Sequence, residues 1–354
     1  KQAVFHAGDM EITLLDTPGH VDFSAEMERT LQVLDYAVLL ISGADGIQGH
    51  TETLWRLLER YRIPTFLFIN KMDQEGTDRG SLLEQIHARF GGECIDFGQE
   101  GEKQEFYEQV ALCDERALEH YLADGHLETK SIARLIEERK VFPCYFGSAL
   151  KLTGVEELLE GLATFTTAKK YPDEFGAKVY KIARDSQGAR LTYLKITGGR
   201  LRVKDVIGEG KADQIRIYSG NKHELAMEAE AGMVCAVTGL DHTYPGQGLG
   251  YESASDMPVL EPVLTYRIVL PEDADVQASL RNFKMLEEEE PQLHIVWNER
   301  LGEIHAKLMG EVQIDVLKRL IWDRFGMAVQ FDTGSIVYKE TIRCPVEGVG
   351  HFEP

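Results

Sequence analysis

Short apolar runs alternate with glycine-bearing turns and with stretches whose apolar residues recur at helical spacing through the first part of the chain. The runs are EITLL at 11–15, YAVLLIS at 36–42, TFLFIN at 65–70 and VFPCYFGS at 141–148. The helical stretches that follow them are VDFSAEMERTLQVL, QGHTETLWRLLERY, GSLLEQIHARF and GVEELLEGL. Runs with little polar alternation predict strands buried on both faces, and their repetition with helices predicts a mostly parallel sheet covered by helices. KQAVFHAG is expected to pair beside EITLL, which would otherwise be an open edge. Between Asp73 and Ser148 the chain is polar, with Phe106, Ala111, Leu118 and Leu122 at helical spacing, so this segment is expected as the acidic, helical outer face of the first domain.

FTTAKKYPDEFG at 165–176 marks a boundary, and the period then changes. AKVYKIARD, ARLTYLKITGG, LRVKDVIG, ADQIRIYSG and MVCAVTGL are short runs broken by glycine turns, which predicts a small closed β-barrel. From 258 onward the order is strand, helix, strand, strand, helix, strand, a split ferredoxin-like arrangement. Its second helix, EVQIDVLKRLIWDRFG, is expected to bury Val312, Val316, Leu317, Leu320 and Ile321. His294 and His305 lie roughly a hairpin apart, but a metal would need further ligands that the sequence does not supply.

Composition bounds the function. The 354 residues carry 38 basic and 59 acidic side chains, a formal net charge of -21. That excludes a broad polyanion binder and a basic membrane-surface protein but leaves room for a local phosphate contact, for which Lys195, Arg200, Arg202 and Lys204 are the best cluster, set against the blander alternative of a solvated strand face. Five scattered cysteines form neither a disulfide framework nor a CxxC knuckle, which suits a reducing, cytoplasmic setting. No run approaches 18 consecutive apolar residues, so no membrane partner is expected.

The chemistry lies in three loops at strand ends, where an open α/β sheet places its ligand. They read DTPGH at 16–20, NKMD at 70–73 and GSAL at 147–150. An isolated Asp-Thr-Pro-Gly is most often a plain turn, and His20 by itself is a reasonable helix-start residue. All three loops together, in this order, resemble the translational GTPases, and most closely the elongation factor G and tetracycline-resistance ribosomal protection group. A carboxylate suits guanine because it accepts from both the ring N1–H and the exocyclic amine. The resemblance gives that role to Asp73, has Asn70 and Lys71 brace the base pocket, and brings the GSAL backbone at Ser148, Ala149 and Leu150 to the base oxygen. It implies that Asp16 helps hold Mg2+ through water, that the Gly19 amide faces the terminal phosphate of GTP, and that His20 orients the attacking water. Asp45 and Asp22 are explained as a turn residue and a helix-start residue.

By the same resemblance the fold class is a multidomain one: an α/β P-loop-type GTPase domain over 1–168, a translation-factor β-barrel over 174–256, an α+β ferredoxin-like domain over 260–334, and the start of a fourth domain over 335–354, where YKETI is similar to the family's opening. No GxxxxGK[ST] phosphate loop occurs in the chain, so it is expected to be an internal fragment whose own GTP affinity is weak. The family's elongation factors carry a larger insertion between the second and third loops, and its absence favours the ribosomal protection branch. The resemblance therefore implies a monomeric, cytoplasmic GTPase that binds GTP/GDP and Mg2+ and acts on the ribosome to remodel it or release a bound drug. An elongation factor G-like translocase and a non-catalytic ribosome-binding fragment are the alternatives.

Overall fold

The computed structural model describes residues 1–8, 10–98, 103–256, 258–262, 264–332 and 335–336. It divides into two compact units, 1–19 with 26–258, and 20–25 with the residues after Pro258.

The first unit opens on an antiparallel hairpin of β1 (Gln2–Ala7) and β2 (Met10–Leu15), with Gln2 opposite Leu15 and Ala7 opposite Met10. The pairing of the first segment with EITLL is as expected. EITLL is not, however, part of the parallel sheet: the hairpin is a two-stranded sheet of its own. Its polar groups are drawn to the barrel instead, where Gly220 N donates to Gln2 O at 2.7 Å and Gln2 Nε2 donates to Val234 O at 3.3 Å.

Four parallel strands form the sheet of the first domain. They are β3 (Ala37–Ser42), β4 (Thr65–Asn70), β5 (Cys94–Asp96) and β6 (Phe142–Phe146), in the order β3-β4-β6-β5. β4 lies inside the sheet with Phe66, Leu67 and Ile69 fully buried, as an unbroken apolar run requires. β3 is an edge strand that buries Ala37, Leu39 and Ile41 but leaves Leu40 63% exposed, so its two-sided burial is not observed. β5 falls within the stretch read as helical; three residues between glycine-bearing turns are too few to show a period. Around it, α1 (Ser24–Leu31), α2 (Gly49–Arg60), α3 (Arg79–Phe90), α4 (Lys103–Ala111), α5 (Glu115–Asp124), α6 (Thr129–Glu137) and α7 (Val155–Phe165) complete the helical set. Ala111 is fully buried and Phe106 and Leu118 pack on the same core, whereas Leu122 is 75% exposed and outside it.

The β-rich part of this unit uses ten strands, β7 (Gly176–Arg184), β8 (Arg190–Gly198), β9 (Arg200–Arg202), β10 (Val206–Ile207), β11 (Gly210–Lys211), β12 (Gln214–Ser219), β13 (Lys222–Ala226), β14 (Glu228–Glu230), β15 (Val234–Thr238) and β16 (Gly248–Gly250). Six form an antiparallel sheet in the order β13-β12-β15-β8-β7-β16, while β9 with β14 and β10 with β11 form separate ribbons. The hydrogen-bond ladder is thus not one continuous closed cylinder. Packing does the closing: Leu201 and Ala229 of one ribbon share the core of Val179, Leu194, Ile215 and Val237, and Ile207 of the other packs against it.

The second unit has β17 (Leu264–Val269), α8 (Val276–Glu289), β18 (Val296–Asn298), β19 (Glu303–Leu308), α9 (Glu311–Phe325) and β20 (Gln330–Phe331) in the expected βαββαβ succession. The antiparallel sheet runs β18-β19-β17-β20, and β21 (Ser335–Ile336) also pairs with β17. α9 buries Ile314, Leu317 and Ile321 at helical spacing, whereas Val312 and Val316 are 42% and 49% exposed, so the apolar stripe is rotated from the expected one. His294 ends a 3-10 turn rather than lying in a strand, and His305 sits 3.0 Å from Glu303 Oε2. The YKETI segment lies outside the described residues.

Candidate nucleotide site

The base-side loops are joined by one side chain. β4 delivers Asn70 at its carboxyl end, and Asn70 Oδ1 accepts from Lys71 N and from Ala149 N, both at 2.8 Å. Backbone bonds reinforce the join: Met72 N donates to Gly147 O at 3.0 Å and Gly147 N donates to Ile69 O at 2.9 Å. Gly147 has no room for a side chain, because a Cβ would stand 2.0 Å from Thr153 O. Ser148 is buried and its amide donates to Thr153 O at 2.9 Å, which turns the GSAL loop back over the end of β6. Replacing Asn70 with alanine is expected to separate the loops and weaken guanine-nucleotide affinity about tenfold, measurable by fluorescent-nucleotide titration of the full-length protein.

Asp73 lies beside this join with Lys151 Nζ 3.5 Å from its Oδ2. A hydrogen bond from the Ser148 hydroxyl, then one from its own backbone amide and the Lys151 charge, hold its carboxyl below the usual carboxylate range against the opposing effect of desolvation. An ionised, acceptor-only group is what a guanine edge requires. Lys71 adopts φ 64°, a left-handed conformation unusual outside glycine, and its Nζ reaches 3.5 Å from Asp45 Oδ2. Asp45 in turn accepts from Ser42 Oγ at 2.6 Å, so the turn after β3 is tied to the NKMD loop. Leu150 is 89% exposed.

Asp16 and Gly19 follow β2 and are exposed, and Asp16 N donates to Lys1 O at 2.7 Å. No protein atom lies within 4 Å of the place a Cβ on Gly19 would take, so nothing crowds that face of its backbone. Among the described residues no three His, Cys, Asp or Glu side chains converge to hold a metal. Mg2+ takes few carboxylates and completes its shell with water and phosphate oxygens, so the single exposed carboxylate of Asp16 fits the role assigned to it. His20 is 51% exposed at its side chain, and its Nδ1 accepts from Asp22 N at 3.2 Å.

Three neighbours were not singled out from sequence. Lys151 directly follows the GSAL loop; Asp45 and Asp22 were read as local residues. The barrel's basic cluster divides: Lys195 is drawn into the fold, while Arg200 and Arg202 lie on a solvated strand face and Lys204 is exposed just beyond it. Lys195 is 5% exposed and donates to Asp35 Oδ2 at 2.5 Å and to Val33 O at 3.1 Å, Arg200 and Arg202 pair with Glu228, and Lys204 pairs with Asp213. Burial lowers the Lys195 pKa, with Asp35 opposing that shift. Lys195 is occupied within the fold, and the other three form exposed ion pairs. Lys195→Ala is expected to cost about 1–2 kcal/mol in denaturant unfolding, modest for a buried pair because Asp35 remains partly hydrated.

Residues 1–168 match the family model described as the Elongation factor Tu GTP binding domain. More particularly, the chain is similar to the tetracycline resistance protein TetP of Clostridium perfringens, 27% identical over 95% of this chain and 56% of TetP. It is also 27% identical to elongation factor G of Ureaplasma parvum serovar 3, over 96% of this chain and 61% of that protein. The chain therefore spans a little over half the length of these relatives. A crystal structure of a Thermus thermophilus protein shares the fold, with a TM-score of 0.80 and 23% identity, covering 94% of this chain and 58% of that one. The fold shared with that structure is multidomain, and the first 168 residues resemble a GTP-binding domain and are followed by β-rich parts. Among the described residues no helix is long and apolar enough to cross a membrane.

Proposed function

We propose that the chain is part of a ribosome-dependent GTPase of the ribosomal protection type, which hydrolyses GTP to remodel the ribosome or release a bound drug. The observation that carries the nucleotide assignment is the Asn70 clamp, which holds the NKMD and GSAL loops together beside an ionised Asp73. In this reading Asp73 accepts from the guanine N1–H and exocyclic amine. The GSAL backbone lies beside the base oxygen, with the Ala149 amide held by Asn70 Oδ1 at 2.8 Å as part of the clamp. Gly19 presents its amide to the terminal phosphate, and Asp16 holds Mg2+ through water. Bound Mg2+ would neutralise phosphate charge as it develops. His20 orients the attacking water through Nε2, since Nδ1 is engaged by Asp22 N.

The ribosomal protection branch is supported by alignment length. TetP aligns over 369 residues and elongation factor G over 419, for nearly the same share of this chain, as expected if the chain lacks an insertion that the elongation factors carry. The second reading, an elongation factor G-like translocase, is favoured by the breadth of similarity to elongation factor G. Expression of the full-length gene in a tetracycline-sensitive bacterium separates them. Protection supports the first; no protection together with translocation activity supports the second. With no GxxxxGK[ST] among its 354 residues, the chain by itself is expected to bind GTP more weakly than about micromolar, and tighter binding by calorimetry would contradict this.

A further inference from the structure

Within the second unit, a carboxylate from residue 22 caps a helix nearly the whole chain away. α9 begins after Gly310, which has no side chain to satisfy the free amides of the first turn. Asp22 Oδ2 accepts from Gln313 N at 3.1 Å, the bond that an aspartate at the cap position itself would make. The negative charge also lies at the positive end of the helix dipole. Gly310 is necessary to this contact for reasons of space. A Cβ there would stand 2.4 Å from one Asp22 carboxylate oxygen and 2.6 Å from the other. Gln313 completes the turn by accepting from Met309 N at 2.8 Å through its Oε1.

Asp22 meets His20 at the same time. Its amide donates to His20 Nδ1 at 3.2 Å and its Oδ1 lies 3.4 Å from that nitrogen. Asp22 is 5% exposed, so a buried carboxylate needs fixed partners and cannot move without losing them. Accepting at Nδ1 places the proton of the neutral ring on Nε2. Ring orientation and helix cap therefore share one residue.

We propose that Asp22 is a positioning residue for His20, coupling the ring to the N-terminus of α9 by supplying the capping carboxylate that Gly310 cannot. This rests on the GTPase reading only for its effect on rate. The coupling itself is a property of the second unit and is testable without turnover.

The decisive variant is Gly310→Ala, which intrudes on Asp22 without touching His20. In the uniformly 15N-labelled 354-residue chain, the His20 ring signals, assigned by their loss in His20→Gln, are expected to report a protonated Nε2 and an accepting Nδ1. Gly310→Ala should shift both ring nitrogens together with the Gln313 amide. In ribosome-stimulated hydrolysis by the full-length protein, Gly310→Ala should lower kcat by about tenfold while the KM for GTP stays within about twofold. Asp22→Ala should do the same, and Asp22→Asn, which keeps a capping oxygen, should restore rate and ring signals to within about threefold of wild type in kcat. If Gly310→Ala does not fold by circular dichroism, the Ala and Asn variants of Asp22 carry the test. Unchanged His20 ring signals when the Gln313 amide has moved would overturn the coupling, as would equal losses in Asp22→Ala and Asp22→Asn. Absence of hydrolysis by wild type would instead count against the GTPase reading and leave the ring measurement to decide the coupling.

Discussion

His20→Ala in the full-length protein is expected to reduce ribosome-stimulated GTP hydrolysis by about a hundredfold to a thousandfold while leaving GTP affinity within about twofold. The asymmetry follows from where the residue sits. It lies outside the NKMD and GSAL loops, its side chain is half exposed, and its Nδ1 is engaged by Asp22 N, so it is not expected to take part in base recognition. Phosphoryl transfer depends on positioning and charge more than on covalent chemistry, so a group that orients water acts on the rate alone. Single-turnover hydrolysis on ribosomes, with nucleotide affinity measured in parallel, checks this. Equal losses in both would make His20 a structural residue.

Asp73→Asn should change which nucleotide is preferred. In the proposed site the carboxylate would accept two hydrogen bonds from guanine, whereas an asparagine offers one acceptor and one donor, the pattern suited to the carbonyl of xanthine at the same edge. A polar site that loses its match leaves buried groups unpaired, so GTP preference over XTP is expected to fall by about a hundredfold or more. Because the Ser148 hydroxyl, then its own backbone amide and Lys151, depress the wild-type pKa, the acceptor role is expected to be retained from neutral pH down to below the usual aspartate range and lost only as pH falls through that lowered value. Competition between GTP and XTP for the wild-type and variant proteins tests the assignment. An unchanged preference would remove Asp73 from the base pocket.

Much of this was legible in the residues, for physical reasons that differ from place to place. The FLFI core of β4 is apolar because both faces of the strand are covered, so strand, burial and the position of Asn70 at its end followed together. EITLL looks similar but belongs to a separate hairpin, since an apolar run states that a strand is buried and not which sheet pairs with it. Val312 and Val316 share helical spacing with the true core residues, and only tertiary packing selects Ile314, Leu317 and Ile321. The charges were least legible. Lys195 reads as a surface cation until the fold brings Asp35 to it, and Asp22 reads as an ordinary helix-start residue until Gln313 arrives from 291 positions away. Composition along the chain carries no information about such distant partners.

The burial of β4 and the openness of β3 give the base-side loops unequal footing. Among the described residues, Asn70 and the NKMD loop leave a strand with a neighbour on each side, whereas Asp45 leaves a strand paired with β4 alone. Local opening follows such differences in burial and pairing. Amide hydrogen exchange should accordingly be slow along Phe66–Ile69 and faster along Val38 and Leu40. The Lys71–Asp45 link then joins a stable loop to a more easily released one, so transient opening at the base pocket would begin on the Asp45 side and spare the Asn70 clamp.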